Sequence, residues 1–154
     1  MTRPSVFYFG PDGGTREPEH PKVYLRSLLF ATAKRGRVIE AMYVTLRHSK
    51  TRQNFSIWVH GDSRLDRGSG LYVGEEGVPA GHHFLLPRDS KSFTFTEGKY
   101  VLEVFAQIVG NRLTSRLFTQ ELEIDHIAAE AMKQSANGIY FDWEPGRQLL
   151  QAKC

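Results

Sequence analysis

The chain of 154 residues is long enough to bury a hydrophobic core and has the size of a single domain. Hydrophobic residues make up 40% and charged residues 24%, a balance that excludes an intrinsically disordered chain. The apolar runs are too short for a membrane-spanning helix, and the net charge of +3 permits a nucleic-acid partner without requiring one. We therefore expect one globular domain over 1–154 with no membrane partner.

Cysteine usage limits the kinds of site that one chain can form. The only cysteine is Cys154, the last residue, so an internal disulfide and a multi-cysteine zinc site are excluded within one chain. The apolar run Val6–Phe9 ends at Gly10 and is shorter than the core of a signal peptide. These features predict a cytoplasmic protein.

The first third of the chain predicts strands separated by polar turns. Ser5–Phe9 is typical of a short edge strand, and 10–21 predicts a flexible loop because it is rich in glycine, proline and charge. Lys22–Ala33 and Val38–His48 predict two strands that pair with each other. A helix is the alternative over 38–46, which contains Glu, Ala, Met and Leu, but the β-branched and aromatic residues favour a strand.

The centre of the chain predicts further short strands. Apolar residues alternate with polar ones, or lie between glycine-rich loops, in four short predicted strands at 55–60, 71–73, 82–86 and 92–96.

The chain changes character after residue 124. Asp125 is a suitable N-cap for a helix over about 126–135, with apolar residues on one side. A short strand is predicted at 139–143, and 147–154 predicts a loose tail.

The clearest pattern is a hairpin in the second half of the chain. In its first strand the even positions are all apolar: Tyr100, Leu102, Val104, Ala106 and Ile108. Gly110-Asn111 predicts a two-residue II′ turn, and Arg112–Ile124 predicts the returning strand. The apolar phase of that strand shifts from odd to even positions, which indicates a β-bulge near Leu117–Phe118.

Many short strands with little helix predict an all-β antiparallel sandwich of about 7–9 strands. Glu97–Val104 (EGKYVLEV) resembles the G-x-Y-x-L-x-V start of the penultimate strand in immunoglobulin and fibronectin type III sandwiches. The resemblance implies an immunoglobulin-like fold in which the Tyr100 hydroxyl bonds back to the backbone and Trp58 is the buried tryptophan of the third strand. The chain lacks the cysteine pair of antibody domains, and a fold of this kind does not specify a function.

The best polar grouping predicts a metal site. Two loops that can meet at one end of a sandwich carry His60, Asp62, His82 and His83. Imidazole and carboxylate are ligands for zinc or another divalent ion, and two histidines with one carboxylate would leave open positions for a small metal-dependent enzyme. The alternative is that these are ordinary residues flanking strands.

Basic turns give a second candidate, an electrostatic contact with nucleic acid. The first turn has Lys34, Arg35 and Arg37, and the second has Arg47, Lys50 and Arg52. We expect the two turns to lie at opposite ends of the sandwich, where one continuous groove is difficult to form. The alternative is that both are solvated turns.

The preferred interpretation is a non-catalytic module for binding or assembly. Glycine-flanked apolar residues at Tyr72, Val78 and Phe84 predict a surface for protein recognition. An unpaired edge strand would serve the same purpose by strand addition, to a peptide or to a second copy of the chain. No catalytic residue and no cofactor is assigned.

Overall fold

The computed structural model describes residues 1–13, 20–62, 64–68, 70–90, 92–134, 137–144 and 149–153, the last range as backbone alone. Within these ranges, twelve strands form two antiparallel sheets around a shared core, and one short helix lies near the end of the chain. The predicted antiparallel β-sandwich with one late helix is thus confirmed. The strands outnumber the expected seven to nine because strands form where none was predicted, at Thr51–Phe55, Asp66–Arg67 and Leu149–Lys153.

The larger sheet has seven strands. In spatial order they are β12 (Leu149–Lys153), β11 (Ile139–Glu144), β1 (Val6–Pro11), β2 (Pro21–Leu29), β8 (Val78–Leu85), β5 (Ile57–His60) and β6 (Asp66–Arg67). All of these neighbours are antiparallel.

The smaller sheet has five strands. Four lie in the order β10 (Ser115–Ile124), β9 (Gly98–Ile108), β3 (Arg37–His48) and β4 (Thr51–Phe55), and β7 (Leu71–Val73) pairs with the start of β3. The helix α1 (His126–Gln134) follows β10, and the Asp125 carboxylate accepts a hydrogen bond of 2.7 Å from the Ala128 N–H, as expected of an N-cap. The strand prediction for 38–46 is confirmed.

The core lies between the two sheets and is supplied by alternate residues of each strand. The larger sheet contributes Phe7, Phe9, Leu25 and Phe84, and the smaller one contributes Leu46, Leu102 and Val104, all almost fully buried. Because side chains alternate across a strand, the residues between these point to the outer face of their sheet. That outer face of the larger sheet carries the candidate site.

Two details of the predicted hairpin are present. The Tyr100 hydroxyl donates a hydrogen bond to the Thr96 carbonyl and accepts one from the Thr96 N–H, both at 2.9 Å. The pairing of β9 with β10 shifts between Arg116 and Phe118, at the predicted bulge. The connecting turn differs from the prediction: β9 ends at Ile108, and Gly110 takes its positive φ of 91° at the second central position of a turn closed from Asn111 to Ile108. This is the position that a type II turn reserves for glycine.

Three other expectations were wrong. β1 lies between β2 and β11 and is therefore not an edge strand. β2 and β3 belong to different sheets and do not pair. Residues 92–96 form no strand, although Phe95 lies in the core, where its ring stacks 5.2 Å from that of Phe9.

The boundaries of the predicted flexible segments also move. Gly10 and Pro11 extend β1 and Pro21 begins β2, so the ends of the segment 10–21 are paired strand, while 14–19 lie outside the described residues. The tail predicted over 147–154 contains β12, which pairs with β11; 147–148 and 154 lie outside the described residues. No helix within the described ranges is long and apolar enough to cross a membrane.

Candidate binding groove

A row of aromatic side chains crosses the outer face of the larger sheet. Tyr8 of β1 is directly opposite Tyr140 of β11 on one side and Tyr24 of β2 on the other, and Tyr24 is directly opposite His83 of β8. All four face outward because their neighbours in each strand point into the core. Four adjacent strands thus carry four rings in register.

The rings form two pairs with similar geometry. The Tyr8 and Tyr140 ring centroids are 4.7 Å apart with planes inclined by 50°, and those of Tyr24 and His83 are 4.8 Å apart and inclined by 52°. The rings line a groove of about 780 Å³, together with Lys22, Arg26, Asp12 and Asp62. We call this set of eight residues the tyrosine groove.

Glycines beneath the rings explain how the groove forms on a sheet face. A β-carbon added to Gly81 of β8 would lie 2.8 Å from the ring of Tyr24, and one added to Gly10 of β1 would lie 2.7 Å from the Tyr8 hydroxyl. Only glycine permits such close approach of a ring to the backbone. The tyrosines therefore lie over the sheet instead of standing away from it.

The Lys22 ammonium occupies the middle of the groove. Its Nζ is 3.3 Å from the Asp12 carboxylate, 3.4 Å from the His83 Nδ1 and 5.6 Å from the centroid of the Tyr8 ring. A lysine donates and does not accept, so it donates to His83 Nδ1 and leaves the proton of the neutral imidazole on Nε2. Burial, and then the charge of Lys22, lower the pKa of His83 to about 4. Burial, with Tyr140 and Asp12 nearby, raises the pKa of Tyr8 to about 12.

A second ion pair lies further along the groove. Arg26 of β2 pairs through Nη1 with the Asp62 carboxylate, which also accepts a hydrogen bond of 3.1 Å from the Gly81 N–H. These two hydrogen bonds lower the pKa of Asp62. The groove thus contains two ion pairs, Lys22 with Asp12 and Arg26 with Asp62, beside uncharged rings.

The structure does not bring the four residues of the predicted metal site together as one set, although His60 of β5 lies directly opposite His82 of β8 with ring centroids 6.4 Å apart. His82 is fully buried on the inner face of β8, and its Nδ1 accepts a hydrogen bond of 3.1 Å from Trp58. His83 is on the outer face, because adjacent strand residues point in opposite directions. His60 packs against Trp58, and Asp62 is paired with Arg26. Within the part of the chain that the structure describes, no three His, Cys, Asp or Glu side chains are placed to hold a metal ion.

The two basic turns lie at opposite ends of β3. Lys34 and Arg35 are exposed before the strand and Arg37 is exposed at its start, whereas Lys50 and Arg52 are exposed at its far end. Eleven residue steps of strand span roughly 36 Å, so the turns do not form one basic surface.

Arg47 of the second basic turn has a partner of its own. Its Nε lies 3.1 Å from the carboxylate of Glu103, and Arg116 lies 3.2 Å from the other oxygen of the same carboxylate. Arg47 therefore belongs to an ion-pair cluster on the outer face of the smaller sheet.

The three residues predicted for protein recognition do not form one surface. Tyr72 is 59% exposed on the smaller sheet, Val78 is partly buried in β8, and Phe84 is completely buried in the core. Phe84 is therefore not accessible to a partner.

The sequence analysis missed the tyrosine groove, although a local signal exists. Tyr8 lies between two core phenylalanines, and Tyr24 lies between Val23 and Leu25, which are both fully buried. A tyrosine flanked by core residues on both sides in a strand must face outward, and three of the strands carry one.

No family model, curated protein sequence or solved structure matches this chain.

Proposed function

We propose that the protein is a non-catalytic binding module that holds a segment of a partner protein in the tyrosine groove. One observation carries the proposal: four rings are in register across four strands on the outer face of the larger sheet, from Tyr8, which is 8% exposed, to Tyr140, which is 48% exposed. Sheet faces turned to solvent normally carry polar side chains. Tyrosine supplies rigid contact area with a polar tip, which suits a recognition surface.

We further propose that the sandwich is immunoglobulin-like. The order β1-β2-β8-β5 corresponds to strands A-B-E-D of such domains, and the order β3-β9-β10 corresponds to C-F-G. The hydrogen bonds of Tyr100 to Thr96 support the same assignment. The single cysteine supports a reducing compartment such as the cytoplasm.

Charge favours a protein ligand over a nucleic acid. Binding to a polyanion depends on cations that neutralise phosphates, whereas Lys22 and Arg26 already pair with Asp12 and Asp62. The exposed basic turns are separated by the length of β3. A peptide that offers ring contacts and hydrogen bonds does not require uncompensated charge.

The test is selection of a displayed random-peptide library on the immobilised protein. We expect peptides to be enriched on the unmodified chain and on Tyr72→Ala, and to be lost on Tyr24→Ala. Tyr72 is the matched control, because it is an exposed tyrosine on the other sheet. Enrichment that survives Tyr24→Ala, or the absence of any enriched peptide, would refute the proposed site.

A further inference from the structure

We infer that the segment held in the tyrosine groove is an uncharged, proline-rich peptide in the polyproline II conformation, with prolines three residues apart. The inference rests on the proposed function and specifies its ligand. It follows from the spacing of the two ring pairs, from the charges between them and from the hydrogen-bond donors that the groove offers.

The spacing of the ring pairs matches one turn of polyproline II. The Tyr8–Tyr140 pair lies on β1 and β11, and the Tyr24–His83 pair lies on β2 and β8, so equivalent points are two strands apart. Two strand spacings are about 9.6 Å. A polyproline II helix advances about 9.3 Å over its three-residue turn, so residues i and i+3 lie on the same side at that separation. One proline would then pack against the exposed Tyr140 and the next against Tyr24, two strands away, since Tyr8 between them is only 8% exposed.

The charges in the groove exclude the other common ligand of an aromatic cleft, a quaternary or ammonium cation. The chain's own Lys22 ammonium already lies over the Tyr8 ring and is paired with Asp12. An anionic ligand would have to compete with both carboxylates for Lys22 and Arg26. An uncharged ligand displaces neither ion pair.

The hydrogen-bond donors suit a backbone rich in proline. Proline has a carbonyl acceptor and no N–H, so the backbone of a proline-rich segment mainly accepts hydrogen bonds from donors of its partner. A guanidinium has five N–H groups, and Arg26 uses Nη1 for Asp62 while lying on the same face of β2 as Tyr24. The His83 Nε2–H is a second donor in the groove. Aromatic clefts with such donors are the general mode of polyproline recognition, which gains from a ligand that is already extended.

The experiment is an amide NMR titration of the intact chain with three probes. The first is a capped nonapeptide of alanine with three prolines, one at every third position, and the second is its isomer with the same three prolines placed two residues apart. The third is cellohexaose, a neutral oligosaccharide. We expect the first peptide to shift amides of β11, β1, β2 and β8 and to bind more tightly than its isomer.

Two variants locate the contact. Tyr140→Ala should weaken binding of the first peptide by about threefold to tenfold, the range that one aromatic contact provides, while Tyr140→Phe should not. Tyr140 is 48% exposed, so its truncation spares the core, and Tyr72→Ala is again the matched control. Equal effects of Tyr140→Ala and Tyr72→Ala would overturn the assignment.

The remaining outcomes separate this inference from the proposed function. If library-selected peptides shift the groove amides but the proline peptides do not, the ligand class is wrong and the binding module stands. Equal binding of the two isomers would refute the spacing argument. If cellohexaose alone shifts the groove amides, both proposals fail and the groove binds carbohydrate.

Discussion

Acid should destabilise this fold through His82. The imidazole is completely buried on the inner face of β8, and its Nδ1 accepts the Trp58 indole N–H. Burial, reinforced by the neighbouring His60 and His83, lowers the pKa of His82 to about 4; the carboxylate of Asp62 opposes this shift. Protonation would place an N–H against the N–H of Trp58 and leave a charge in the core.

The direction and the size of the effect follow from linkage. The pKa of His82 in the folded chain lies below the unfolded value of about 6.5, so the unfolded chain binds the proton first as pH falls. The contribution of His82 is therefore complete above about pH 6.5 and is lost progressively between about pH 6.5 and about pH 4. With these two values the loss between about pH 7.5 and about pH 5 is about 2 kcal/mol of unfolding free energy.

The assay is urea denaturation at both pH values, for the unmodified chain and for His82→Asn. The asparagine amide oxygen takes the place of Nδ1 and keeps an acceptor for Trp58, but it does not titrate. Because the smaller side chain lowers stability at both pH values, the quantity compared between the two proteins is the change in unfolding free energy from about pH 7.5 to about pH 5. That difference should shrink by about 2 kcal/mol in the variant. An unchanged difference, or an NMR titration that places the pKa of His82 near 6.5, would refute the reasoning.

Three further substitutions test contacts that stabilise the sandwich, each by urea denaturation at neutral pH. Tyr100→Phe removes the two hydrogen bonds to the Thr96 backbone and should cost about 1–2 kcal/mol; no loss would show that water replaces the hydroxyl. Asp125→Ala removes the N-cap of α1 and should cost about 1 kcal/mol, with faster amide exchange confined to the helix. Gly138→Ala would force a β-carbon against a carbonyl oxygen of β1 and should cost about 1–3 kcal/mol, whereas a neutral result would mean that β1 and β11 separate easily.

Several of the strands were predictable from the sequence, but the partner of each strand was not. The alternation from Tyr100 to Ile108 identified β9, and the change of phase at Phe118 identified the bulge, because both are local consequences of a strand with one buried face. The same rule does not say which strand lies alongside. β2 and β3 follow one another through a short turn, as hairpin strands do, yet the chain crosses from one sheet to the other between them.

The candidate site depends on these partners, which is why the sequence analysis did not find the tyrosine groove. The predicted metal site was grouped because two loops that could meet at one end of a sandwich carry its residues, but adjacency in a strand places His82 and His83 on opposite faces. Tyr8 and Tyr140 are separated by most of the chain and become neighbours only through the register of β1 with β11. A sequence shows which face of its own strand each tyrosine occupies. The alignment of the rings into one row is set by three separate strand pairings, so the groove is a property of the sheet and not of any segment.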